Sequence, residues 1–260
     1  MDLGIAGRKA LVCASSKGLG RACAEKLAEA GCEVVVNGRS RDSAEATAAD
    51  VRKATGAKVT AVAADVASPE GQAALFAACP QPDILVTNNL GPPPRPYGEV
   101  NRQQMLEGVT GSMVAPIELI QKALAHMVAN KFGRIVNITS GGVLMPQTSL
   151  EVSCAARAGL TAFLTTVARS VAPHNVTINF LLPGAFDTDR LRSLFETNAR
   201  RHNTTPEAVR AQRVEAIPAK RIGRPEEFGA ACAFLCYAHA GFITGHNLLI
   251  DGGAFPAAFA

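Results

Sequence analysis

The chain has 260 residues, 48% of them hydrophobic and 18% charged, with Lys+Arg 26 against Asp+Glu 22. That apolar share excludes a disordered or collagen-like chain, because it supplies a sizeable core. A net charge of +4, with no Trp and two Tyr, is too weak a footprint for nucleic-acid binding.

The N-terminal MDLGIAGRKALV holds no long apolar run behind a basic segment, so no signal peptide is expected. The first strand is expected at residues 9–14. It runs into CASSKGLG, followed by a helical pattern over 19–30 that Gly31 closes. Strands are expected next at 32–37 and 58–63, and Ser68-Pro69-Glu70 reads as an N-cap, an N1 proline and a first-turn acid. A strand at Ile84–Thr87 leads into the stiff loop Gly91-Pro92-Pro93-Pro94-Arg95-Pro96-Tyr97-Gly98. Further strands are expected at 134–139, 176–182 and Asn247–Ile250, with helix starts at Thr205-Pro206-Glu207 and Arg224-Pro225-Glu226-Glu227.

Most of these strands are continuously apolar, as in a parallel sheet covered on both faces. Strand–helix alternation throughout predicts one α/β domain over 1–260, a doubly wound parallel sheet with right-handed crossovers. The least charged stretch, 228–245, reads as a buried helix and turn rather than a membrane span. Seven cysteines, an odd number with no CxxC, suit reduced core thiols of a cytoplasmic protein better than disulfides or a metal site.

Gly18 and Gly20 let the backbone turn tightly beneath a pyrophosphate seated on a helix N-terminus, although any strand-to-helix turn can use two glycines. After the second strand come Asn37-Gly38-Arg39-Ser40-Arg41, with no acid until Asp42. A dinucleotide fold preferring NAD places an acid there, whereas an Arg accommodates a 2′-phosphate. Arg39, with Lys17 in the glycine turn, points to NADP(H). The bland alternative is a solvated surface loop.

Together these segments resemble the short-chain dehydrogenase/reductase family. CASSKGLG is similar to its glycine loop, with Cys13 and Ala14 where the family has Thr and its first Gly. Asp65-Val66 resembles the adenine-contacting pair, and DILVTNN the strand leading to its Asn-rich turn. NITS at 137–140, the LPG turn at 182–184 with Thr188, and GRPEEF…FITG…IDGG at 223–253 resemble its later landmarks. The resemblance implies a Rossmann-type seven-stranded sheet in the order 3-2-1-4-5-6-7. It implies cofactor contacts from Ser15, Lys17, Gly18, Leu19, Gly20, Arg39, Asp65, Val66, Asn88, Arg157, Pro183, Gly184 and Thr188. It also implies a homotetramer built on long helices near 118–129 and 153–172, with the apolar tail 254–260 packing on a neighbour.

The family's chemistry rests on an Asn, a Ser, a Tyr and a Lys. Here Ser140 keeps its place, but the Tyr and Lys positions hold Ser153 and Arg157, and the Asn position falls near Ser112. A phenol titrates near 10 and a neighbouring cation lowers it further. A serine hydroxyl is far less acidic, and Arg157 does not release its proton. General acid–base help is worth about 10²–10⁴ in rate. A replacement proton donor is therefore sought in Tyr97, on the proline loop, or in a water held by Ser140 and Ser153. Cys154, beside Ser153, reads as a helix thiol. His174 precedes the sixth strand, on the wrong side for a ligand site, and Tyr237 reads as structural.

The segment 185–223 resembles the family's substrate lid. Its basic residues, among them Arg190, Arg192, Arg200 and Arg201, form chiefly a solvated face. A minority reading is that the run steers an anionic substrate or an acyl-carrier partner, with Arg200 and Arg201 as the residues that test it. Leu191, Leu194 and Phe195 form a stripe suited to closing over a pocket. The expected function is an NADP(H)-dependent oxidoreductase interconverting a small-molecule carbonyl and alcohol through an atypical site. Two alternatives stay open: a dinucleotide-binding sensor or scaffold without redox turnover, and a lyase or isomerase on the same fold.

Overall fold

Short runs of Val, Ile and Leu become strands, and the Ala-rich amphipathic segments between them become helices. A computed structural model describes residues 2–257. The strands are β1 (Lys9–Val12), β2 (Glu33–Gly38), β3 (Val59–Ala63), β4 (Ile84–Thr87), β5 (Gly133–Ile138), β6 (Val176–Pro183) and β7 (Asn247–Ile250). The helices are α1 (Gly18–Glu29), α2 (Arg41–Thr55), α3 (Pro69–Ala78), α4 (Arg102–Val109), α5 (Ala115–Ala129), α6 (Glu151–Val171), α7 (Asp189–Arg201), α8 (Pro206–Ala216) and α9 (Pro225–Cys236). All strands pair in parallel in one sheet ordered β3-β2-β1-β4-β5-β6-β7, with helices on both faces. The Rossmann-type expectation holds.

The period of two along each strand divides the core. Ala10 and Val12 of β1, with Val136 and Ile138 of β5, pack beneath α1 and α9. Leu11 and Cys13, with Ile135, pack beneath α5 and α6 on the other face. Small residues draw α1 against α9: a Cβ at Gly229 would stand 2.3 Å from the Ala22 carbonyl oxygen. At the N-terminal end of the sheet the fully buried Arg134 donates to the carbonyls of Gly133, Asn175, Tyr237 and Ala238.

β1 ends two residues earlier than expected, because Ala14 turns into the left-handed region at φ +43°. α4 and α5 form one long rod joined by a π-turn over Thr110–Val114. The segment 185–223 contains α7 and α8. A single bridge between Phe186 and Gly223 closes its base, and Ala185, Phe195, Ile217 and Ile222 form its own small core. No helix of the described residues is long and apolar enough to cross a membrane.

Candidate functional site

Every sequence-predicted position on β1, β2, β4, β5 and β6 lies at or beyond a strand's C-terminal end, the edge where doubly wound sheets bind ligands. On leaving β1, Ala14 donates its N–H to Asn37 Oδ1 at 2.9 Å, and Asn88 Nδ2 donates to the Ala14 carbonyl at 3.2 Å. Gly20 serves the same close approach, since a Cβ there would stand 2.4 Å from Ala14 O and 2.9 Å from Asn88 Nδ2.

Five other helix starts are capped by side chains. Ser40, Ser68, Asn101, Thr188 and Thr205 accept first-turn N–H bonds of α2, α3, α4, α7 and α8. α1 differs: its N-cap, the exposed Lys17, offers no acceptor, and its first turn holds no acid. Its orphan N–H groups at Gly18, Leu19 and Gly20 are open to an external anion. Gly18, at φ +56°, faces Thr188, whose methyl carbon would lie 3.5 Å from a Cβ there.

Exposed Arg39 follows β2 directly. Among the described residues no carboxylate pairs with Lys17, Arg39 or Arg41. Asp65 is exposed after β3, and its Oδ1 accepts the Ala67 N–H, while Val66 is buried. Pro183 ends β6, and a Cβ at Gly184 would stand 2.6 Å from Asp251 Cα. An uncapped helix start beside unpaired cations fits a dinucleotide carrying an extra phosphate.

Ser15 departs from expectation. It is fully buried, its hydroxyl donates to the Val12 carbonyl at 2.6 Å and accepts the Asn37 N–H at 2.9 Å, and its own N–H binds Asn37 O. It stitches β1 to β2, and its hydroxyl and N–H are both engaged within the protein.

At the reacting end, Ser140 follows β5 and its Oγ accepts the Gly142 N–H at 3.0 Å. Ser153 and Arg157 lie one turn apart on α6. Arg157 is 6% exposed. Its Nη1 donates to the Ile138 carbonyl at 3.0 Å, its Nη2 to Asn89 Oδ1 at 2.9 Å and its Nε to Ser153 Oγ at 3.4 Å. Burial, then repulsion from Arg190, brings the Arg157 guanidinium down to about 10, still charged at neutral pH.

Asn89 was not singled out in the sequence. Its Nδ2 donates to the Gly111 carbonyl at 2.5 Å and to Ser112 Oγ at 3.1 Å, both on the π-turn. The bulge frees a carbonyl that an unbroken helix would use. Ser112, Asn89, Arg157 and Ser153 thus form one hydrogen-bonded chain with the Asn89 amide at its centre. The available signal was the doubled Asn88-Asn89. Asn88 turns to the glycine loop and Asn89 to α6.

Two other expectations are corrected. Tyr97 is 82% exposed on a short 3₁₀ turn; no hydrogen bond of its side chain is found among the described residues, and it does not join Ser140 or Ser153. Phe195 turns into the small core it shares with Ala185, Ile217 and Ile222, while Leu194 is exposed, so they do not form one stripe. Cys154 is buried with Sγ packed against Gly142.

Arg190 was counted with the solvated face. From the first turn of α7 its Nη1 instead donates to the Leu90 carbonyl. A Cβ on Gly91, at φ +69°, would lie 3.1 Å from Arg157 Nη2, 3.8 Å from Ser153 Oγ and 3.9 Å from Arg190 Nη1.

This fold and site define a short-chain dehydrogenase/reductase, and the chain belongs to that family; the family model described as Enoyl-(Acyl carrier protein) reductase matches residues 13–254. Among its relatives, the NADPH-dependent reductase BacG of Bacillus subtilis (strain 168) is 32% identical over 255 residues, 96% of this chain and 98% of its own. The 3-oxoacyl-(acyl-carrier-protein) reductase FabG of Aquifex aeolicus (strain VF5) is 30% identical over 98% of this chain and 100% of its own. Among solved structures, YwfH, an NADPH-dependent reductase involved in bacilysin biosynthesis, superposes with a TM-score of 0.91 at 32% identity, covering 97% of this chain and 100% of that one. L-sorbose reductase from Gluconobacter frateurii, complexed with NADPH and L-sorbose, gives a TM-score of 0.92 at 27% identity over 99% of this chain and 100% of that one.

Proposed function

We propose that the protein is an NADP(H)-dependent oxidoreductase that interconverts a carbonyl and an alcohol on a small molecule, through an electrostatic site in place of a phenol relay. The observation that carries this is the convergence, at one sheet edge, of an uncapped helix start, an unpaired Arg39, and the hydroxyls of Ser140 and Ser153 beside charged Arg157. The NADPH-dependent relatives support it. The Gly18, Leu19 and Gly20 amides receive the pyrophosphate, and Lys17 and Arg39 the 2′-phosphate. Asp65 and Val66 border the adenine, Asn88 fixes the glycine turn, and Pro183, Gly184 and Thr188 border the nicotinamide half. When bound, the nicotinamide supplies or takes the hydride. Ser140 and Ser153 hold the substrate oxygen. Arg157 stabilises the negative charge that develops on it in the reductive direction, and a water held by the two hydroxyls delivers the proton.

The test is a fluorescence titration with NADPH and NADH, free of Trp background, joined to a carbonyl panel that follows NADPH consumption. NADPH is expected to bind at least about tenfold tighter, a difference of about 1.4 kcal/mol, and Arg39→Ala to erase that preference. A preference for NADH overturns the cofactor assignment, and silence across the panel overturns the reductase.

The chain is further proposed to be one domain with 185–223 as its lid, and cytoplasmic, since all seven cysteines are buried free thiols. A homotetramer is proposed through the face carrying Met105, Leu106, Val109, Val114 and Phe163, and through a second patch around Phe234 and Phe242, all of them exposed. The last three residues of the tail 254–260 lie outside the described residues.

A further inference from the structure

We propose that the substrate is a short oxo acid whose carboxylate is held over Gly91 by Arg190, with Arg157 behind it. This rests on the reading of Ser140 and Ser153 as the seat of the reacting oxygen. Two guanidiniums approach within 4 Å of one point above Gly91. Among the described residues neither has a carboxylate partner. The nearest acids in sequence, Asp187 and Asp189, are both taken by Arg192.

Like charges brought together and partly desolvated oppose folding unless an opposite charge joins them. Each guanidinium here is shifted downward by burial, and Arg190 adds to the shift of Arg157. A latch between lid and β4 would need only the bond from Arg190 Nη1 to the Leu90 carbonyl, which a neutral amide makes without that repulsion. The bond uses one of the five N–H groups of Arg190, so a fork remains for a carboxylate.

Gly91 supplies the room. With no Cβ at Gly91, nothing occupies the point on which Arg157 Nη2, Ser153 Oγ and Arg190 Nη1 converge, at 3.1, 3.8 and 3.9 Å. A carboxylate packed on the Gly91 Cα lies next to the hydroxyl that holds the substrate oxygen. The reacting carbonyl is therefore one or two carbons away, as in a 2-oxo or 3-oxo acid. Arg200 and Arg201 occupy the last turn of α7, roughly 15 Å along the helix from Arg190 at 1.5 Å per residue, and take no part.

The experiment compares 2-oxo and 3-oxo acids with their methyl esters in native protein, Arg190→Gln and Arg190→Lys. Two readouts are taken: NADPH consumption, and calorimetric binding to the NADP⁺-loaded protein, which has no hydride to give. Acids are expected to bind at least about tenfold tighter than esters, in line with a charged hydrogen-bond pair. In Arg190→Gln that ratio falls towards one, and Arg190→Lys, which keeps the charge and loses the fork, lies between. Unchanged melting temperature and NADPH affinity establish that the variants fold. Equal binding of acid and ester in native protein, or a ratio that Arg190→Gln leaves intact, overturns the proposal even if neutral carbonyls are reduced. Acid binding that Arg190→Gln abolishes, without any NADPH consumption, sustains the anion site and removes the reductase reading instead.

Discussion

Ala14 occupies the most demanding backbone position in the glycine turn. An L-residue with a Cβ in the left-handed region is strained by roughly 1–2 kcal/mol, and Ala14 sits at φ +43°. It is held there by Asn37, which accepts its N–H, and Asn88, which donates to its carbonyl. Ala14→Gly removes the strain but enlarges the unfolded ensemble by about 0.5–1 kcal/mol. The net expectation is stabilisation by about 0.5–1 kcal/mol, a melting temperature raised by about 1–3 °C. Calorimetric melting checks it, and a lowered melting temperature would show that packing of the Ala14 methyl outweighs the strain.

Among the elements, α9 shows how a helix start is tied to the loop that precedes it. Glu227 accepts both the Arg224 backbone N–H and the Arg221 guanidinium, at 2.8 and 2.7 Å. Those bonds, the Arg221 side chain first, pull its carboxyl from 4.5 to about 2. A depressed acid contributes stability that is fully present above its unfolded value and is lost as the pH falls towards the folded one. Glu227→Gln is therefore expected to melt about 1–3 °C below the native protein at neutral pH, given the modest worth of exposed pairs and the size of the chain. The gap should close between pH 4.5 and about 2. Melting curves at several pH values decide it, since a gap independent of pH would assign the loss to packing.

For the whole molecule, the informative surface is the apolar one. Phe242 is fully exposed beside Phe234, Ile243 and Leu248, next to the outer strand β7 of the sheet. This patch and the α4–α6 face lie on different parts of the molecule, and two distinct self-complementary contacts generate a tetramer. Phe242→Asp is expected to convert the proposed tetramer into a dimer in light scattering with NADPH affinity unchanged. A native monomer, or a variant that stays tetrameric, sinks the assignment of that patch.

The sequence by itself determined the sheet, the glycine turn and the cationic residues after β2. Those signals are local: apolar runs, helix starts, a Gly spacing, and an Arg where an acid would otherwise stand. The family resemblance, counted on from Ser140, pointed to Ser153 and Arg157, and helix periodicity puts those two one turn apart. Only the tertiary structure decided what surrounds them. Asn89 reaches Arg157 across 68 residues and Arg190 reaches Leu90 across 100. Such meetings depend on how β4, α6 and α7 abut at one sheet edge, not on any local pattern. The same register turned Ser15 inward to bridge β1 and β2 and left Tyr97 in solvent. Which of two adjacent asparagines faces the glycine turn and which faces α6 is settled by the direction in which the chain leaves its strand.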